Sequence, residues 1–133
     1  MAISQSPLLR IENLRVQFRQ GKQIFDAVKG ISYEVFAGRT LGIVGESGSG
    51  KSVSSLALMR LLPDKNVRIS SSNINLEGQS LEGMSEREMR DIRGSRMAMI
   101  FQEPMTSLNP VFRCGNQIIE AIQAHNKVSK DDA

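Results

Sequence analysis

The chain has 133 residues, 40% hydrophobic and 23% charged, the balance of an ordinary globular domain with one modest core. Its net charge of +3 is too small to define a nucleic-acid surface, and its single cysteine, Cys114, excludes an internal disulfide and fits a reducing compartment. No apolar run approaches the roughly 18 residues that span a bilayer, and Met1 to Arg10 lack the apolar stretch of a signal peptide, so the expected location is the cytoplasm.

Leu8 to Arg19 and Gln23 to Phe36 are predicted strands. Val16-Gln17-Phe18 and Ile31-Ser32-Tyr33-Glu34-Val35 alternate apolar and polar residues, the pattern of half-exposed antiparallel strands. Gln20-Gly21-Lys22 and Ala37-Gly38-Arg39 are the turns. Thr40-Leu41-Gly42-Ile43-Val44 then forms a short apolar run, expected as a buried parallel strand.

Residues 45 to 52 are Gly-Glu-Ser-Gly-Ser-Gly-Lys-Ser, a complete G-x-x-x-x-G-K-[ST] motif. Glycines at these places let backbone N–H groups turn inward around a polyphosphate. Lys51 adds a mobile charge for the outer phosphates, and the Ser52 hydroxyl is suited to ligate Mg²⁺. Lys51 to Leu62 continues as a helical run ended by Pro63, directing its positive N-terminal end at the same anion. Strand, loop and helix is the order that the motif requires.

Pro63 to Asn66 is a loop and Ser72 to Leu76 another strand. Ser85 opens a helix: Ser85 and Glu88 make a capping box, Met84 and Met89 occupy the staple positions, and Gly94 ends it. Met97-Ala98-Met99-Ile100-Phe101 is apolar on both faces and is expected as a second buried strand, with its methionines in the core. The predicted strand runs from Arg96 to Gln102. Ligands of open α/β sheets sit beyond the carboxyl ends of strands, so Gln102 belongs near the phosphate loop if the two strands are neighbours. Pro104 to Asn116 is a loop, and Asn116 to His125 an amphipathic helix. His125 has no partner at metal-ligand spacing and reads as solvated. Ser129-Lys130-Asp131-Asp132 has the form of a helix cap, so the chain is expected to be a piece of a longer domain.

The motifs resemble those of ATP-binding-cassette (ABC) transporter ATPases. The phosphate loop Gly45 to Ser52 is one match, and Ile100-Phe101-Gln102-Glu103-Pro104 is similar to that family's Q-loop. Phe18, in Leu14-Arg-Val-Gln-Phe18, sits where the family places an aromatic that stacks on adenine. Met105-Thr-Ser-Leu-Asn-Pro110, Gly115-Asn-Gln-Ile-Ile-Glu120 and the stretch from Arg93 to Gln102 resemble the branch that imports dipeptides and oligopeptides. The likeness runs from Leu8 onward.

The resemblance implies an α/β fold: a P-loop NTPase (RecA-like) core, an N-terminal antiparallel β lobe and the start of a helical lobe, with residues 1–133 the N-terminal part of one nucleotide-binding domain. It implies ATP and Mg²⁺ as ligands. Phe18 with Gly45, Glu46, Ser47, Gly48, Ser49, Gly50, Lys51 and Ser52 would hold the nucleotide. Ser52 and Gln102 would hold the metal, and Lys51 and Gln102 would serve catalysis, Gln102 as a sensor, because an amide ligates or orients but is no base. For Phe18 plain packing on an alternating strand stays open, and for Gln102 a role as an ordinary turn residue.

The implied partners are a second ATPase subunit and membrane permease subunits docking near Gln102 to Asn116, on the inner face of the membrane. The family's Leu-Ser-Gly-Gly-like signature loop, its strand ending in Asp with a catalytic Glu, and its later switch histidine are missing from the sequence. His125 lies too early to be that histidine. A module that binds ATP without turnover is therefore the rival reading. A nucleic-acid-associated ABC ATPase would want a basic stripe with interleaved aromatics, and five Phe and one Tyr among mixed charges speak against it.

Overall fold

The computed structural model describes residues 6–101 and 107–133, which divide into two compact units, Met1–Ser85 and Glu86–Ala133. Strand β1 (Leu9–Gln20) organises the first unit. It pairs antiparallel with β2 (Gln23–Val35) along its whole length. Gly21, with φ +61°, makes the turn between them. On its other edge β1 holds two short strands. β3 (Val67–Ser70) pairs with Arg15–Phe18, and β4 (Asn73–Leu76) with Leu9–Glu12. β5 (Gln79–Ser80) returns against β4 through Glu77-Gly78, both at positive φ, the two-residue hairpin turn that fits strand twist.

Alternation decides which face is buried. Ile11, Leu14, Val16 and Val28 are buried, with a bulge between Ile11 and Leu14 that restores the phase. Helix α1 (Lys51–Leu58) lays Ala57 against Val16 and Val28, and Phe18, Ile31, Val53, Leu62 and Val67 pack around that cluster. Ile74, Leu76 and Leu81 extend the core beneath β4. The Arg10–Glu34 ion pair across the first two strands, 2.7 Å long, is exposed and contributes little.

In the second unit, α2 (Glu86–Ile92) starts one residue after Ser85, where the cap signal places it, and buries Met89 and Ile92. Gly94 then reverses the chain at φ +84° and accepts the His125 ring so closely that a methyl group there would lie 2.3 Å from Nε2. Helix α3 (Cys114–His125) is clasped at its start. Gln117 accepts from the Asn109 N–H at 2.8 Å and donates to the Asn109 and Phe112 carbonyls at 3.0 and 3.1 Å. Cys114, in its first turn, is exposed. The Ser129 hydroxyl accepts the Asp132 N–H at 3.1 Å, so the predicted cap contact forms.

Two expectations fail. Thr40 to Val44 and Met97 to Phe101 are not strands, and their apolar side chains are not buried: Val44 is 93% exposed and Ile100 97%. A parallel strand needs a neighbour delivered by a crossover, and every strand pairing within the sheet is antiparallel. Among the described residues neither run joins a strand ladder, Met97 making an isolated parallel bridge to Arg93, and the expected parallel RecA-like core is not seen there. The antiparallel lobe is. The stretch from Pro63 also departs from a plain loop: Asp64–Asn66 is one turn of 3₁₀ helix leading into β3.

Candidate functional site

The phosphate-loop motif folds as a closed turn. The Ser49 N–H donates to the Glu46 carbonyl at 3.2 Å. Gly48 and Gly50 lie at φ +79° and +91°, the region that glycine enters without strain. Gly50 is required for a second reason. A methyl group on it would sit 2.3 Å from the Ala27 carbonyl oxygen and 3.3 Å from Val28 Cγ2. β2 thus braces the end of the loop at van der Waals contact. A methyl group on Gly45 would lie 2.8 Å from Ser49 Oγ, so the two ends of the loop also touch.

Gly50 is the N-cap of α1, with no side-chain cap and no acidic residue in the first turn. The first-turn N–H groups therefore have no intrahelical acceptor and no competing carboxylate. Lys51, the first helical residue, folds its side chain back over the loop. Its ammonium donates to the carbonyls of Gly45 at 2.7 Å and Glu46 at 2.6 Å, and reaches Ser49 Oγ at 3.3 Å. These acceptors are neutral. An anionic oxygen makes a stronger, charge-assisted bond and would displace them. Ser52, next along the helix, is exposed, and its hydroxyl makes no hydrogen bond among the described residues.

A cleft of about 560 Å³ opens on this loop, lined by Gly45, Ser49 and Lys51 and by Asp26 and Lys29 of β2. The residues fit a phosphate chain: a cradle that side chains would fill, amide donors at a helix start and one mobile cation. They fit Mg²⁺ in a limited way. Ser52 offers one hydroxyl, and no group of three His, Cys, Asp or Glu gathers among the described residues. That suits an ion which keeps waters and takes its remaining oxygens from phosphates.

Phe18 lies elsewhere. It lines a separate cleft of about 340 Å³ together with Arg19, Lys65 and Arg68. Its ring also packs on the Val16, Val28 and Ala57 cluster. Val28 is the side chain nearest the Gly50 position, so one residue of β2 lies between Phe18 and the loop. Gln102 falls outside the described residues, as do Glu103 to Thr106, so the Q-loop reading has no structural counterpart. Leu108, Val111 and Phe112 of the expected docking loop are exposed.

The sequence reading missed two residues that hold the loop. Ser54 is buried, and its hydroxyl donates to the Lys51 carbonyl at 2.7 Å, tightening the first turn of α1. Its signal is the small-residue spacing Ser54 and Ala57 on one helix face. Ala27 acts through its backbone against Gly50, and no local pattern announces such a contact.

A glycine-braced loop whose lysine opens a helix is the phosphate-binding element of nucleotide-handling α/β proteins. The family model described as ABC transporter matches residues 28–132, and the chain belongs to that family. It is 45% identical over 126 residues to a probable peptide ABC transporter ATP-binding protein, y4tR, of Sinorhizobium fredii. It is 49% identical over 131 residues to the glutathione import ATP-binding protein GsiA of Escherichia coli K12, and 48% to that of Shigella boydii serotype 4. Each alignment covers 95% of this chain, but only 38% of y4tR and 21% of the GsiA proteins.

Proposed function

We propose that the chain is the nucleotide-binding part of an ABC importer's ATP-binding subunit. That subunit couples ATP binding and hydrolysis to uptake of dipeptides or oligopeptides across the cytoplasmic membrane. The observation that carries this is the Gly45–Ser52 cradle with Lys51 drawn over it, in a chain of the ABC transporter family. The similarity to peptide and glutathione import proteins supports the substrate class, glutathione being itself a tripeptide.

In this reading both units belong to one domain. The loop amides and Lys51 hold the outer phosphates, Ser52 holds Mg²⁺ and Phe18 supports the base. Mg²⁺ neutralises phosphate charge when bound; the protein contributes position and electrostatics, which dominate phosphoryl transfer. Gln102 senses the γ-phosphate. A second ATPase subunit faces the site, and permease subunits dock along Gln102 to Asn116 from the membrane side. No helix among the described residues is long and apolar enough to cross a membrane.

The test is the longest reading frame containing this chain, assembled with its permease subunits in vesicles. ATP-driven uptake of a labelled dipeptide or of glutathione is expected, and Lys51→Ala should abolish it. Peptide-independent ATPase that survives Lys51→Ala would overturn the reading. For the 133 residues alone, binding without turnover is favoured by the unpaired, exposed runs at Leu41–Val44 and Ile100–Phe101, where the parallel core would lie.

A further inference from the structure

Helix α1 ends in a motif that normally contains glycine. The Leu61 N–H donates to the Leu56 carbonyl at 2.9 Å and the Arg60 N–H to the Ala57 carbonyl at 3.0 Å. This pair of bonds closes a helix around one left-handed residue, usually glycine. Here that residue is Arg60, at φ +50°. A side chain is strained in that conformation and persists only where its surroundings compensate.

The compensation is visible. Arg60 Nη1 donates to the Met84 carbonyl at 2.5 Å, and Nη2 to the Leu81 carbonyl at 2.5 Å. Leu81 is buried, and residues 81–85 are the path by which the chain leaves β5 and enters α2. Lys51 and Arg60 therefore bracket one short helix. At one end the lysine faces the phosphate cradle. Just past the other, a planar two-pronged fork grips the segment that feeds the second unit. Within α1 the buried residues are the small Ser54 and Ala57, with Val53 half-buried beside them and Met59 buried at the C-cap.

We infer that Arg60 is a positioning residue that transmits occupancy of the phosphate loop, through α1, to the segment entering α2. The inference rests on the nucleotide reading of that loop. When an anion draws Lys51 and the first turn of α1 toward it, the helix carries the fork, and the fork carries the Leu81 and Met84 carbonyls. Arginine suits this because its donors are rigidly paired; lysine offers a single pivoting point.

The test is hydrogen exchange on the full-length protein, with and without Mg-ATP. In wild type, ATP should slow exchange of amides 81–92 by about fivefold or more, the usual span of coupling between sites. Arg60→Gly removes the fork and also the backbone strain, so it should fold, bind ATP within about twofold of wild type and lose that protection. Arg60→Lys should give an intermediate response. Retention of full ATP-dependent protection in Arg60→Gly overturns the inference. So does a loss of ATP affinity that parallels the loss of protection, because the residue would then be merely structural. If wild type binds ATP through Lys51 with no change at 81–92, the inference fails and the nucleotide reading stands. If wild type does not bind ATP, the nucleotide reading itself fails.

Discussion

A methyl group on Gly50 would meet the Ala27 carbonyl oxygen at 2.3 Å, whereas one on Gly48 would meet nothing within 4 Å. Both glycines have positive φ. Gly48→Ala should therefore cost about 1–2 kcal/mol, the left-handed penalty alone. Gly50→Ala adds an overlap with backbone, worth about another 1–3 kcal/mol, and pushes the loop off β2. Urea unfolding of the two variants measures the difference. Equal destabilisation would mean that β2 does not brace the loop.

Lys51→Ala should leave the ligand-free protein nearly as stable as before, because the ammonium's contacts are exposed and water replaces them. The loss should appear only with nucleotide. At a hundredfold excess over Kd, Mg-ATP should stabilise wild type by about 2.7 kcal/mol and the variant not at all. Thermal melts with and without Mg-ATP decide it.

Phe18 separates two roles by experiment. If its face carries the base, Phe18→Ala weakens ATP and GTP by similar factors, since stacking of about 1–3 kcal/mol is indifferent to the base. If the ring serves only the Val16, Val28 and Ala57 cluster, the variant loses folding stability while affinity per folded molecule is unchanged. Titrating both nucleotides against the folded fraction tells them apart. Phe18→Tyr should be mild in either case.

Burial raises the Tyr33 phenol above its ordinary pKa. The folded state thus favours the neutral ring. That contribution is complete below the unfolded phenol value, about 10, and fades as pH rises through the higher folded value. Stability should therefore fall in strong alkali, and Tyr33→Phe should flatten that limb while changing little at neutral pH. Chemical denaturation from pH 8 to 11 reads the slope.

In the proposed importer complex, Gln102→Ala should hold ATP affinity within a few fold, on the order of 1 kcal/mol or less, and uncouple uptake from hydrolysis. Phe112, 61% exposed, should matter to permease binding instead. Phe112→Ala is expected to weaken assembly and leave nucleotide binding alone. Normal uptake per ATP consumed in Gln102→Ala would remove the proposed coupling role.

The sequence made the antiparallel lobe legible because its information is local. Val16-Gln17-Phe18 alternates, Gly21 turns, and the strands run Leu9–Gln20 and Gln23–Val35, within a residue or so of expectation. The helix starts at Lys51 and after Ser85 were equally plain, since caps and glycines act within a few residues. The apolar runs at 40–44 and 97–101 carry the same kind of signal, yet a parallel strand depends on neighbours that its own residues do not encode. The end of α1 was misjudged for a related reason. Pro63 looked like the stop, but the helix closes at Met59, around an arginine whose compensating partners lie more than twenty residues away. β3, Val67-Arg-Ile-Ser70, gains its identity from lying along β1 rather than from its own residues.

Cys114 turns the second unit into one that reports on itself. It is the sole thiol of the 133 residues, exposed in the first turn of α3, with the Asn109–Gln117 clasp beside it. A maleimide dye or spin label placed there needs no prior mutagenesis. Its mobility would follow the fraying or tightening of that helix start in real time, while every residue of the phosphate loop stays as nature made it.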